Sequence, residues 1–123
     1  MKVISLAIGS LFGGFSRAAV SAGVKEMLGT AFPYGTLVVN LSGCFVVGFF
    51  HAFLSHRPLF GRFDRVLLMT GFCGAYTTFS GWILQSSELA KEGRYPQLGL
   101  NVLGSLVFGF LFLRLGEWFG AQF

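Results

Sequence analysis

Charge is what this sequence has least of. Five acids and nine lysines and arginines stand among 123 residues, 11% of the chain, where ordinary soluble domains carry about a quarter. With 54% apolar residues and a mean hydropathy of +0.70, a soluble fold of this composition would precipitate, so the chain reads as a membrane protein. The net charge of +4 would suit nucleic acid only as a stripe or cluster. The basic residues are instead dispersed between apolar runs, which leaves them as anchors at membrane edges. Cysteine is scarce too: Cys44 and Cys73 both fall inside apolar runs with no ligand-like spacing to a histidine. That gives no support to a disulfide framework or a zinc site and leaves packing. No nucleophile is paired with a base and no metal-ligand cluster is present, so an enzyme is not expected.

What is present divides into four apolar spans of about 3–22, 34–54, 66–87 and 97–118, each near the roughly 20 residues that cross a bilayer. Short connections separate them: Gly29 to Pro33, then a basic loop with His56, Arg57, Pro58, Gly61, Arg62, Asp64 and Arg65, then Glu88 to Pro96. The expectation is an all-α membrane protein of one domain over residues 1–123, without internal repeats. Lys2, the apolar run after it and Val20-Ser21-Ala22 resemble a signal peptide. Arg17 and the glycines at 9, 13 and 14 interrupt the apolar core that such a peptide requires, and Gly9 with Gly13 makes a helix-packing surface. The first span is therefore read as retained.

The third span is the unusual one. Gly71-Phe72-Cys73-Gly74-Ala75-Tyr76-Thr77-Thr78-Phe79-Ser80-Gly81-Trp82 puts three glycines, two adjacent threonines and a serine at its middle, where helix propensity is poor. The spacing predicts a helix broken near the midplane. Backbone freed at that depth is tolerated only where protein or a polar cavity satisfies it, and broken helices are a recurring way to coordinate ions. Phe79 and Trp82, three apart just after the expected break, share a face. Ring edges are positive, so edges turned inward would attract an anion without trapping it.

Polar residues in the other spans admit two readings. Thr36 and Asn40 lie one turn apart on one face, and an amide in hydrocarbon either lines a pathway or hydrogen-bonds between helices. Asn101, Ser105 and Gly109 follow at four-residue steps in the fourth span, a stripe that serves packing or forms a polar track. For four spans, Lys2, Arg57, Arg62, Arg65 and Arg114 share one side, against Lys25, Lys91, Arg94 and a snorkelling Arg17 on the other. So even a split sets almost no orientation. Two opposite copies pairing as an antiparallel dimer is one outcome; a single orientation fixed by the second loop is the other.

Gly9-Ser10-Leu11-Phe12-Gly13-Gly14-Phe15-Ser16-Arg17, then Pro33-Tyr34-Gly35-Thr36-Leu37-Val38-Val39-Asn40 with Gly43, then Gly71-Phe72-Cys73-Gly74 with Thr77-Thr78-Phe79-Ser80, resemble the successive signatures of the CrcB/Fluc fluoride channel family. The likeness covers nearly the whole chain. It implies a multi-pass protein of the cell inner membrane, a dual-topology antiparallel homodimer that lowers cytoplasmic fluoride by passive export, with a structural sodium ion at the dimer centre. By position, the resemblance assigns the backbone carbonyls of Gly74 and Thr77 to sodium, and Arg17 to a pore vestibule. It assigns Asn40, Phe79, Ser80, Trp82, Asn101 and Ser105 to the fluoride path. The chain departs from the family pattern where Phe is usual and Trp82 stands, where an acid is frequent and Gln85 stands, and where some members have Tyr and Asn101 stands.

Two other classes fit parts of the sequence. A small dual-topology multidrug-type exporter also inserts both ways, but proton coupling needs a carboxylate within the membrane. Glu26, Asp64, Glu88, Glu92 and Glu117 all fall at span edges. A non-transporting membrane assembly subunit would use the small-residue stripes for packing alone and has no need of a broken third span.

Overall fold

The computed structural model describes residues 2–55 and 65–123, which form helices and short connections. Helix α1 is Lys2–Leu28 and α2 is Tyr34–Ser55. Helix α3 runs with π-helical hydrogen bonding over Val66–Cys73 and then for one α-helical turn over Gly74–Tyr76. Helix α4 is Phe79–Lys91. Helix α5 comprises Tyr95–Gly99, a π-helical segment Leu100–Gly104 and Ser105–Ala121. Four stretches, Lys2–Leu28, Tyr34–Ser55, Val66–Lys91 and Tyr95–Ala121, are long and apolar enough to cross a membrane. The loop expected between the second and third spans lies outside the described residues at 56–64.

The helices overrun the apolar spans because hydrogen bonding, unlike hydropathy, continues into the polar edge until a residue breaks it. Helix α1 carries on through Lys25 and Glu26 to Gly29, whose φ of +83° suits glycine and whose N–H reaches Lys25 O at 2.9 Å. Helix α4 ends in the same manner: Gly93, at φ +71°, donates to Ala90 O at 3.1 Å while Arg94 N–H donates to Leu89 O at 2.9 Å. Those paired bonds satisfy carbonyls that the last turn would otherwise orphan. Pro33 precedes α2 and Pro96 sits in the first turn of α5, where a missing N–H costs nothing.

Backbone-to-backbone packing sets the arrangement. Helix α1 lies along α3, with Gly9 against the Leu67 carbonyl and Gly13 against that of Phe72; a Cβ at either would overlap the oxygen. Helix α2 lies along the long last segment of α5 in the same way, Gly48 meeting the Leu113 carbonyl, Gly116 that of Phe45 and Gly120 that of Phe49. Small residues let helices approach closely in lipid, where no hydrophobic drive separates one apolar surface from another. The outer surface is correspondingly apolar: Leu11, Phe12 and Phe15 on α1 and Leu106, Phe110 and Trp118 on α5 are exposed. Lipid or another membrane chain must cover a surface of that kind.

Candidate functional site

The segment that positions the site is the pair of extended residues between α3 and α4. Thr77 has φ/ψ of −84°/159° and Thr78 of −143°/118°, so the helical ladder stops at Tyr76. Each end is finished locally. Thr77 turns both its N–H and its hydroxyl to Cys73 O, each at 3.1 Å, and Thr78 caps α4 by accepting from Gly81 N–H at 3.2 Å.

Helix α2 grips this segment residue by residue. Asn40 donates from Nδ2 to Thr78 O at 3.0 Å and accepts from Thr78 N–H on Oδ1 at 2.8 Å, replacing both bonds that Thr78 forfeits by leaving the helix. Gly43 has no Cβ where Thr77 Cγ2 packs against it. The Ser42 hydroxyl, itself 2.7 Å from Val38 O, meets the Tyr76 hydroxyl at 3.0 Å. Two carbonyls are released in consequence. The N–H four residues beyond Gly74 is that of Thr78, which goes to Asn40; the N–H four beyond Thr77 is that of Gly81, which goes to the Thr78 hydroxyl.

Below the extended pair lies a cavity of about 280 Å³ lined by Asn40, Cys44, Thr78, Phe79, Trp82 and Ser105 among others. None of its described lining residues is charged. Phe79 and Trp82 stand edge to face, centroids 5.7 Å apart at 61°, and Phe79 is 73% exposed. The Ser105 hydroxyl is buried and has no hydrogen-bond partner among the described residues. Asn40 has a second amide proton beyond the one given to Thr78.

The structure thus brings Asn40, Thr77, Phe79, Trp82 and Ser105 to one cavity, and leaves four other sequence candidates off its wall. Asn101 is 0% exposed: its Nδ2 donates to Ser86 Oγ at 2.9 Å, its carbonyl accepts Trp82 Nε1–H at 2.9 Å, and Ser86 Oγ in turn donates to Trp82 O at 2.8 Å. Ser80 is exposed, Arg17 is half-buried along α1, and Gly74 is exposed with open space around it. Sequence reasoning missed Ser86 and the anchoring of the indole. The signal was available, since a Trp within an apolar span needs an acceptor for its N–H. A second cavity of about 270 Å³, at the end of the bundle, is lined by Lys25, Thr36, Gln85, Glu88, Glu92 and Arg94 among others.

A family model described as CrcB-like protein, Camphor Resistance (CrcB) matches residues 4–117. The chain belongs to the CrcB family. Relatives include proteins named fluoride-specific ion channel FluC from Aquifex aeolicus, 42% identical over 94% of this chain and 96% of the relative, and from Opitutus terrae, 41% identical over 91% and 86%. One from Synechococcus sp. is 40% identical over 91% and 86%. These relatives are named as ion channels, a family without enzymatic activity. Family membership and the four apolar helices together make the chain a multi-pass membrane protein, as expected for the plasma membrane.

Proposed function

We propose that this protein is a fluoride-selective ion channel that lowers cytoplasmic fluoride by passive export, as an antiparallel homodimer of one-domain, four-span protomers with Val66–Lys91 broken near the midplane. The observation that carries the reading is the uncharged cavity at Thr77 and Thr78, which offers hydrogen-bond donors and ring edges and no full charge. Fluoride is small and strongly hydrated, so each water it sheds must be replaced by a donor of moderate strength. The second Asn40 amide proton and the Ser105 hydroxyl supply such donors, and the positive edges of Phe79 and Trp82 supply weaker surface between them. A lysine in the same place would bind the anion and hold it. Arg17 on α1 is assigned to a vestibule, where a charge gathers anions without entering the path.

Sodium fits the carbonyls released at Gly74 and Thr77. A hard cation takes oxygen ligands, both oxygens have lost their helical donors, and the open space at Gly74 leaves room for the same atoms of a second protomer. Bound there, the ion would supply fixed positive charge and tie two interruptions together. Gly74 and Thr77 hold it by backbone alone, so side-chain substitution at Thr77 would leave the ligands in place.

Purified protein in liposomes, read with a fluoride electrode, is expected to release fluoride; release no faster than from empty liposomes would overturn the reading. Replacing sodium by a large organic cation on both sides should slow the flux, with no dependence on a sodium gradient. Flux that follows the gradient would mean coupled transport. A tag on the C-terminus should be reached from both faces of cells producing the protein, and accessibility from one face alone would exclude dual topology. Proton-coupled multidrug export has no support, because Glu26, Glu88, Glu92 and Glu117 lie toward helix ends among the described residues.

A further inference from the structure

Hydroxyl side chains inside helices usually donate to the carbonyl four residues back. Four among the described residues do so: Ser42 to Val38 O at 2.7 Å, Ser55 to His51 O at 2.5 Å, Thr77 to Cys73 O at 3.1 Å and Ser86 to Trp82 O at 2.8 Å. Ser105 does not. Its Oγ is buried without a partner among the described residues, and the carbonyl four residues back, Asn101 O, accepts the Trp82 indole N–H at 2.9 Å. The π-helical segment Leu100–Gly104 makes that carbonyl available, since the Ser105 backbone N–H turns to Val102 O. The indole is held to its task by a closed ring of three bonds running from Trp82 Nε1 to Asn101 O, from Asn101 Nδ2 to Ser86 Oγ, and from Ser86 Oγ to Trp82 O.

We propose that the Trp82 indole N–H, by occupying the Asn101 carbonyl, keeps the Ser105 hydroxyl free to donate to an anion in the cavity, with Asn101 and Ser86 as positioning residues that hold the indole there. The proposal rests on the fluoride-channel reading and deepens it. It also connects two positions at which this chain departs from the family pattern, Trp82 and Asn101. Trp82 acts through its ring edge and through its N–H, and only the second role is tied to Ser105. A carbonyl oxygen can accept two bonds, so the claim is one of competition: with the indole present the anion outcompetes the carbonyl for the hydroxyl, and without it the hydroxyl turns back into its own helix.

A double-mutant cycle on fluoride efflux from liposomes tests this. Ser105→Ala alone should slow efflux about tenfold, the scale of one hydrogen bond to a charged group. In a Trp82→Phe background, where the hydroxyl has already turned back, Ser105→Ala should slow it less than about twofold. Replacing Trp82 with benzothienylalanine, which keeps the bicyclic ring and lacks only the N–H, should give the same small Ser105→Ala effect, and it stands in if Trp82→Phe does not fold. Ser86→Ala opens the ring of bonds without touching the cavity wall. It should shrink the Ser105→Ala loss and, in a Trp118→Phe protein, shift the Trp82 indole N–H resonance, which Ser105→Ala leaves in place. Equal Ser105→Ala losses in all backgrounds would overturn the proposal while leaving the channel intact. A parent protein that passes no fluoride would sink the channel reading itself.

Discussion

Asn40→Asp is expected to suppress fluoride efflux at least about a hundredfold while the protein still assembles. The substituted carboxylate keeps the acceptor for Thr78 N–H and loses the donor to Thr78 O, bonds that now measure 2.8 and 3.0 Å. One side of the clamp opens, and the amide proton left for the anion disappears with it. An ionised carboxylate would also face the fluoride. Two like charges about 4 Å apart repel by about 4 kcal/mol at the effective dielectric of a partly wet site, which alone exceeds a hundredfold in rate. Because a desolvated carboxyl takes up a proton more readily, lowering the pH should restore part of the flux. Efflux at the parent rate at neutral pH, in protein whose elution on gel filtration is unchanged, would remove Asn40 from the path and leave it a structural clamp.

The second large effect falls on folding. Gly48→Ala and Gly116→Ala should each destabilise the protein by about 2–3 kcal/mol, the cost of overpacking a well-fitted interface. Each new methyl meets a carbonyl of the facing helix, Leu113 in one case and Phe45 in the other, and backbone cannot step aside as a flexible side chain can. Gly14→Ala supplies the opposite sign: its added Cβ meets nothing within 4 Å, so the better helix propensity of alanine should raise stability by about 0.5–1 kcal/mol. Thermal unfolding in detergent, followed by loss of monodispersity, would separate the three. A Gly48→Ala protein as stable as Gly14→Ala would mean that α2 and the last segment of α5 do not touch as described.

The first and third apolar stretches stop at residues 22 and 87, whereas the helices run on to Leu28 and Lys91. Apolarity stops where water begins, whereas the helical ladder continues to a glycine able to take positive φ, at Gly29 and Gly93. The cluster of glycine, threonine and serine marked the segment where Thr77 and Thr78 extend, because poor helix formers in an apolar run are visible in one dimension. What holds them was not visible. Asn40 lies 38 residues from Thr78, and spacing within α2 shows which face carries the amide but not what stands opposite. The same gap explains Asn101. Its four-residue step to Ser105 suggested a shared lining, yet its amide is taken up by Ser86 of the facing helix, a partner that spacing does not show. Asn101 is sealed against α4, and Ser105 opens on the cavity.

The pairing of α2 with the last segment of α5 bears on the order in which the molecule is made. Asn40, Thr78, Phe79 and Trp82 are all synthesised when α5 is still to come, so the clamp on the extended pair can close early. Ser105 and Leu106, which wall the cavity from its remaining side, and Gly116, which seats against Phe45, arrive with the final helix. A nascent chain therefore holds one donor of the proposed path, Asn40, without the other until the final helix packs against α2. The proposed ion route is thus the last part of the molecule to be completed.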